Sequence, residues 1–272
     1  MSENAGAHIG PLSGWELNAP RPDTVVRQFI DSQVAFQQLA GEAMGATVVV
    51  NDRFIAVDTG RPATFLNLAV LRKPLFGPEL EQTMLELEAI YGTAGTSGSA
   101  VVYSPLPTSD LSPWGWTLSG HPPLQLRSPL TPILDTSSIR IEPVSTDDER
   151  LTFERVMIEG FEMDEMRGSP PNSLIAPGML ADSRFGAWLG YLGDEAVAGA
   201  ASMVENSIVE VVMVATLPQA RRKGLGLAVT QAAARPELGL PAVLFSSDDG
   251  RPVYERIGFV PILRGSFWYR NR

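Results

Sequence analysis

Among its 272 residues the chain has no cysteine. Disulfides, thiolate metal sites and cysteine nucleophiles are therefore excluded. Histidine occurs only at positions 8 and 121, which argues against a histidine-based metal site or a Ser-His triad. No metal is expected. Lysine stands only at 73 and 223 while arginine is common; with many Ala, Gly and Pro, this suits a GC-rich bacterial genome. No apolar run reaches 18 residues, so no membrane-spanning helix is expected. The opening Met1-Ser2-Glu3-Asn4 lacks a basic stretch followed by an apolar one, so the reading is cytoplasmic, without a secretory signal. Net basic charge is lacking as well: the formal net charge is −10. A nucleic-acid partner is disfavoured by that sign. An acidic surface can attract a cationic amine, although solubility alone would account for it.

What is present suffices for a packed interior. The hydrophobic share of 44% fits one large or two small domains. Residues 1–22 are polar, with Gly and Pro, and read as a flexible N-terminal arm. Helical spacing marks 24–43, through Val25, Phe29, Val34, Phe36 and Leu39. Strand-like runs follow at 46–50 and 53–58, with Asn51-Asp52 as a hairpin turn. Further strands are expected at 64–71 and 99–103, a helix at 78–91 between them, a flexible break at 92–98, and two short extended pieces within 114–126. The segment 128–137 carries two prolines and little periodicity, so 131–137 reads as the linker between units 23–130 and 138–272.

The second unit reads as a strand (139–144), a helix capped by Thr146 or Asp147 (to 160), a short helix (173–182) and a strand hairpin (185–192, 196–204). A central strand (208–215), a helix (225–234), a strand (242–246) and a helix (250–257) follow. Strands 260–264 and 266–270 are expected to close the unit as a hairpin. The strand, helix, strand and extended pair of 64–126 repeat this order weakly. The first unit is read as a degenerate copy, because 71–77 lacks the glycine spacing described next. An unrelated α+β domain is the alternative.

The most informative segment is Val214 to Gly226. An apolar strand runs into Pro218, a basic turn and then an apolar helix. Such a junction is an anion cradle: glycine permits close backbone approach, the first N–H groups of the helix lack partners, and the dipole favours negative charge. The Walker pattern is absent. Gly224-Leu225-Gly226-Leu227-Ala228-Val229 begins a dinucleotide fingerprint but ends it in Val229; Asp248 and Asp249 fall near the ribose-binding position, so that reading stays open as a minor one.

Arg221-Arg222-Lys223-Gly224-Leu225-Gly226 resembles the pyrophosphate loop of the GNAT superfamily of N-acetyltransferases, whose pattern is Q/R-x-x-G-x-G/A after a strand ending near V-x-x-x-P. Tyr254-Glu255-Arg256-Ile257-Gly258-Phe259 resembles its Y-x-x-x-G-F segment. The resemblance covers the second unit. It implies an α/β fold, a mixed twisted sheet flanked by helices, with two such domains in tandem here. It also implies acetyl-CoA as cosubstrate and an amine of a small molecule or peptide as acceptor. Main-chain groups of Arg221, Arg222, Lys223, Gly224, Leu225, Gly226 and Leu227 would hold the pyrophosphate, and those of Val214, Ala215 and Thr216 the pantetheine and thioester carbonyl. Tyr254 would supply the proton to the departing thiolate. Glu210, eleven residues before Arg221, matches the base of the lysine-acetylating branch and would share a strand face with Val212 and Val214. A solvated glutamate is the alternative for Glu210, and a packing tyrosine for Tyr254. Glu162, Asp164 and Glu165 could face a cationic acceptor or line a solvated loop. Asp248 or Asp249 would cap the helix bearing Tyr254.

Without cysteine to carry an acetyl group, transfer would proceed directly in a ternary complex. Two other activities fit the same motifs: an acyl-CoA-binding regulatory protein of weak turnover, and a transferase of a longer acyl group. Phe267, Trp268 and Tyr269 could form a homodimer patch, or core.

Overall fold

The computed structural model describes residues 25–92, 99–248 and 250–270, with only the backbone at 236. The expected arm at 1–22 and most of the expected break at 92–98 lie outside them.

Chain order is α1 (Val25–Ala43), β1 (Thr47–Val50), β2 (Phe54–Asp58), β3 (Asn67–Leu71), α2 (Gly77–Tyr91), β4 (Ala100–Ser104), β5 (Thr117–Gly120) and β6 (Pro123–Arg127). The second half adds β7 (Arg140–Pro143), α3 (Asp147–Gly160), α4 (Pro177–Ala181), β8 (Phe185–Leu192), β9 (Glu195–Glu205) and β10 (Ile208–Thr216). It ends with α5 (Leu225–Ala233), β11 (Ala242–Phe245), α6 (Arg251–Arg256), β12 (Phe259–Arg264) and β13 (Ser266–Arg270). The expected strand at 64–71 opens with a 3-10 turn at Thr64–Leu66, and the expected helix at 173–182 shortens to α4, where Pro177 sets the start.

Two mixed sheets result, ordered β1-β2-β3-β4-β13-β5 and β12-β6-β11-β10-β9-β8-β7. Each contains one parallel pair joined through a helix: β3 with β4 across α2, and β10 with β11 across α5. The fold class read from the sequence is the observed one.

The halves trade strands. β6 of the first half inserts between β11 and β12 of the second, with Leu126 opposite Val243 and Val260. β13 of the second half inserts between β4 and β5 of the first, with Trp268 opposite Val102 and Leu118. The hairpin expected from 260–264 and 266–270 is thereby corrected: β12 and β13 belong to different sheets. Phe267, Trp268 and Tyr269 sit in a strand paired on both sides; Trp268 is buried in the core, while Phe267 and Tyr269 are half-buried.

α1 joins the two sheets. Phe29, Gln33, Phe36 and Ala40 recur at helical spacing and are buried. Phe29 packs with Val101 and Tyr103 of the first half and Ile208 and Val243 of the second. Phe36 stacks on Phe185 with ring centroids 6.2 Å apart. At α3, Thr146 and Glu149 form a reciprocal capping box, which selects Thr146 over Asp147 as the cap.

Candidate active site

The parallel ladder between β10 and β11 ends at Glu210 opposite Val243, and the two strands diverge beyond it. On its other edge β10 breaks register with β9 between Val212, opposite Ala201, and Ala215, opposite Gly199. Met213 and Val214 therefore face one residue of β9, which is a β-bulge. Met213 takes φ +51°, a left-handed conformation costly for a side chain of its size. Beyond Glu210 the β11 edge of β10 is unpaired, while Ala215 and Thr216 stay paired with β9 on the other edge.

The bulge corrects one sequence expectation. Glu210 and Val212 do share a face, but the extra residue turns Val214 to the opposite one. Val212 packs in the cluster with α3, and Val214 packs against the cluster holding Leu225 and Val229 of α5.

Beyond β10, a 3-10 turn at Pro218–Ala220 leads into the basic turn. Arg222 adopts φ +64° and Gly224 φ +85°, so the backbone curls just before α5. The first helical bond of α5 runs from Ala228 N–H to Gly224 C=O at 3.0 Å. The N–H groups of Leu225, Gly226 and Leu227 thus emerge at the helix start without intrahelical acceptors. Gly226 lies close to the end of β10: a Cβ there would sit a tight 3.2 Å from Thr216 Oγ1. Arg222 and Lys223 are exposed and make no ion pair among the described residues.

Arg221 has another role. Its guanidinium donates to Gly160 O at 3.0 Å, to Glu162 Oε2 at 3.0 Å and to Thr216 O at 3.2 Å. It braces the turn against α3 and the end of β10. Gly160 is the matching concession, since a Cβ there would meet Ala215 Cβ at 2.9 Å. Glu162 is engaged in this brace and Asp164 pairs with Arg167 at 3.0 Å, while Glu165 is exposed.

Tyr254 lies on α6 and packs against the cluster that contains Leu244, Phe259 and Val214. Its ring meets Phe259 edge-on at 6.3 Å. Burial pushes its phenol up to about 12, although the residue as a whole keeps some exposure. Asp248 does not cap α6; its carboxylate accepts from Arg264 Nη2 at 3.1 Å, and the Gly250 N–H donates to Ser247 Oγ at 3.1 Å instead. Asp249 lies outside the described residues. Gly258, at φ +88°, turns the chain from α6 into β12, where Phe259 is buried.

Glu210 is fully buried on the face covered by α1. Gln33 Nε2 donates to its Oε1, while Oε2 has no hydrogen-bond partner. Burial raises its carboxyl to about 7; Gln33, and Ser32 close by without full hydrogen-bond geometry, oppose that rise.

Beside the turn, an open groove of about 660 Å³ runs between α3 and the stretch after it, lined by Leu151, Ile158, Met166, Ser169, Pro171 and Leu217. Glu154 anchors one wall by accepting from the N–H groups of Asn172, Leu174 and Ile175 at 3.0, 2.9 and 2.7 Å.

The chain has the fold of solved GCN5-related N-acetyltransferases. One from Kribbella flavida is 23% identical, with 89% of this chain and 95% of that chain covered and a TM-score of 0.61. One from Sphaerobacter thermophilus is 12% identical, with 90% and 93% covered and a TM-score of 0.52. A GCN5-related N-acetyltransferase-like protein from Streptococcus suis is 14% identical, with 90% and 100% covered and a TM-score of 0.52. At these identities the likeness is one of fold. No protein-family model matches the chain, and no curated protein matches it in sequence.

Proposed function

We propose that this chain is an acetyl-CoA-dependent N-acetyltransferase acting on an amine of a small molecule or peptide. The observation that supports this best is the bulged, splayed β10 feeding directly into the glycine-bounded start of α5. Main-chain donors, a helix dipole and two uncommitted cations converge there, as a pyrophosphate requires. Acetyl-CoA would supply the activated thioester. We take 138–272, completed by β6, as the transferase unit and 23–130, completed by β13, as a degenerate companion lacking the loop, with 131–137 between them.

In this reading the N–H groups from Arg222 to Leu227 bind the pyrophosphate, and Arg222 and Lys223 add charge. Arg221 acts by shaping the turn. Main-chain groups of Val214, Ala215 and Thr216, on the edge of β10 that no longer pairs with β11, hold the pantetheine and polarise the carbonyl. The amine nitrogen attacks that carbonyl, a C–N bond forms, and the C–S bond breaks. Glu210 receives the proton lost by nitrogen, through its unpartnered Oε2. Tyr254, protonated throughout the neutral range, donates a hydrogen bond to the departing sulfur. A thiol near the cysteine value of about 8.5 is more acidic than this phenol, so Tyr254 stabilises the thiolate without wholly giving up its proton.

Isothermal titration of acetyl-CoA into the wild type and an Arg222→Glu/Gly224→Asp double variant tests the reading. Micromolar binding that the variant loses, followed by thiol release with an amine panel, is expected. Absence of wild-type binding at about 1 mM would overturn it. Binding without turnover would favour an acyl-CoA-binding regulator, and tighter binding of longer acyl-CoAs a different acyl donor.

A further inference from the structure

The first half buries polar side chains where its helix should be apolar. On α1, Ser32 and Gln33 lie between Phe29 and Phe36 and are 0% and 1% exposed. Burying an amide away from water is costly unless it is bonded. Gln33 spends its amide on one group, the Glu210 carboxylate across the boundary between the halves. Around that contact, Ser32 Oγ, Gln33 Oε1, Glu210 Oε2 and Tyr103 Oη are all buried without full hydrogen-bond partners. Buried polar atoms gathered in this way call for a reason.

We propose that Gln33, supplied by the half without a cradle, is a positioning residue for Glu210: its amide fixes Oε1 and leaves Oε2 as the proton-accepting oxygen. This rests on the reading of Glu210 as the base. It gives the first half a chemical task, beyond covering the sheet. An N–H donated to a carboxylate favours its charged form and offsets part of the penalty of burial. The charged and titratable surroundings are few. Burial raises the phenol of Tyr103 on β4, and the nearby Glu210 charge adds to the rise. Asp31 of α1 is occupied by Asn206 Nδ2 at 2.9 Å. No lysine or arginine makes an ion pair with Glu210 among the described residues.

Gln33→Met keeps length and helix propensity while deleting the donor. Carboxyl carbon NMR on glutamate-labelled full-length protein, with the Glu210 signal assigned by its loss in Glu210→Gln, reads the titration without any acceptor. Loss of the donor should move that titration upward by about one to two pH units. Gln33→Glu, which sets a second carboxylate beside the first, should move it further, and carries the test if the Met variant fails to fold. The acid limb of thiol release from acetyl-CoA, with the best amine of the panel, should move by the same amount while acetyl-CoA affinity stays constant. An unmoved Glu210 titration in the folded variants overturns the proposal. A Glu210→Gln enzyme with full rate and an unchanged limb instead removes the base reading, and the proposal with it.

Discussion

Trp268 stands opposite Val102 in an antiparallel ladder, although one belongs to the last strand of the second half and the other to the first half. Leu126 opposite Val243 is the reciprocal contact. Neither sheet is complete without a strand from the other half. A chain ending at residue 264, and an isolated 138–272 segment, should each lose cooperative folding. The full chain should unfold in one transition, with tryptophan fluorescence and far-UV circular dichroism coincident in urea. Trp268→Ala should cost about 3–5 kcal/mol. Two separated transitions in the full chain would contradict the exchange.

Charge reversal in the turn separates binding from stability. Arg222→Glu and Lys223→Glu alter exposed, unpaired cations, so thermal midpoints should hold. Acetyl-CoA affinity should fall about tenfold for each, more at low salt. Arg221→Gln should behave differently, lowering the midpoint as well, because the brace to Gly160 and Glu162 goes with it. Calorimetry and thermal melts on the same samples compare the two effects.

Tyr254→Phe should lower kcat by about 10²-fold or more and leave the KM for acetyl-CoA near its wild-type value. Deleting one hydroxyl while keeping the ring against Phe259 should change stability little. A variant with undiminished kcat would make Tyr254 a packing residue.

Glu210 also makes a stability prediction. Its folded-state carboxyl is raised from 4.5 to about 7, so the folded protein holds a proton that the unfolded chain releases. The stability this contributes is fully present below about pH 4.5 and is lost as pH rises through about 7. Glu210→Gln removes the dependence. The melting temperature of the variant should gain on the wild type from pH 5 to about pH 7 and level off by pH 8. A constant difference would place the native carboxyl at its ordinary value.

The parts of the site legible in sequence are those carried by local backbone chemistry. Gly224, Gly226 and the preceding basic turn lie at a strand-to-helix junction, and Tyr254 with Gly258 lies at a helix exit where Phe259 is buried. What was not legible depends on long-range pairing. The bulge at Met213 has no composition signal, since no glycine marks it, and it reversed the side on which Val214 lies. Strands β12 and β13 look like a hairpin because Gly265 separates them, yet that glycine lets the chain pass from one sheet to the other. A Cβ at Gly265 would sit 2.6 Å from Ser104 O. Gln33 carries no signal of its own in the sequence, and only its bond to Glu210, 177 residues away, gives it a role.

The exchange of strands also sets an order of events during synthesis. β6 leaves the ribosome long before β11 and β12, the strands it must pair with, exist. β4 and β5 must in turn wait for residues 266–270. Until then the nascent first half carries an unfilled gap between two strands, bordered by open backbone donors and acceptors. Both sheets can close only after residues 266–270 have emerged, so the chain depends on late, concerted folding and on protection of that gap in the meantime.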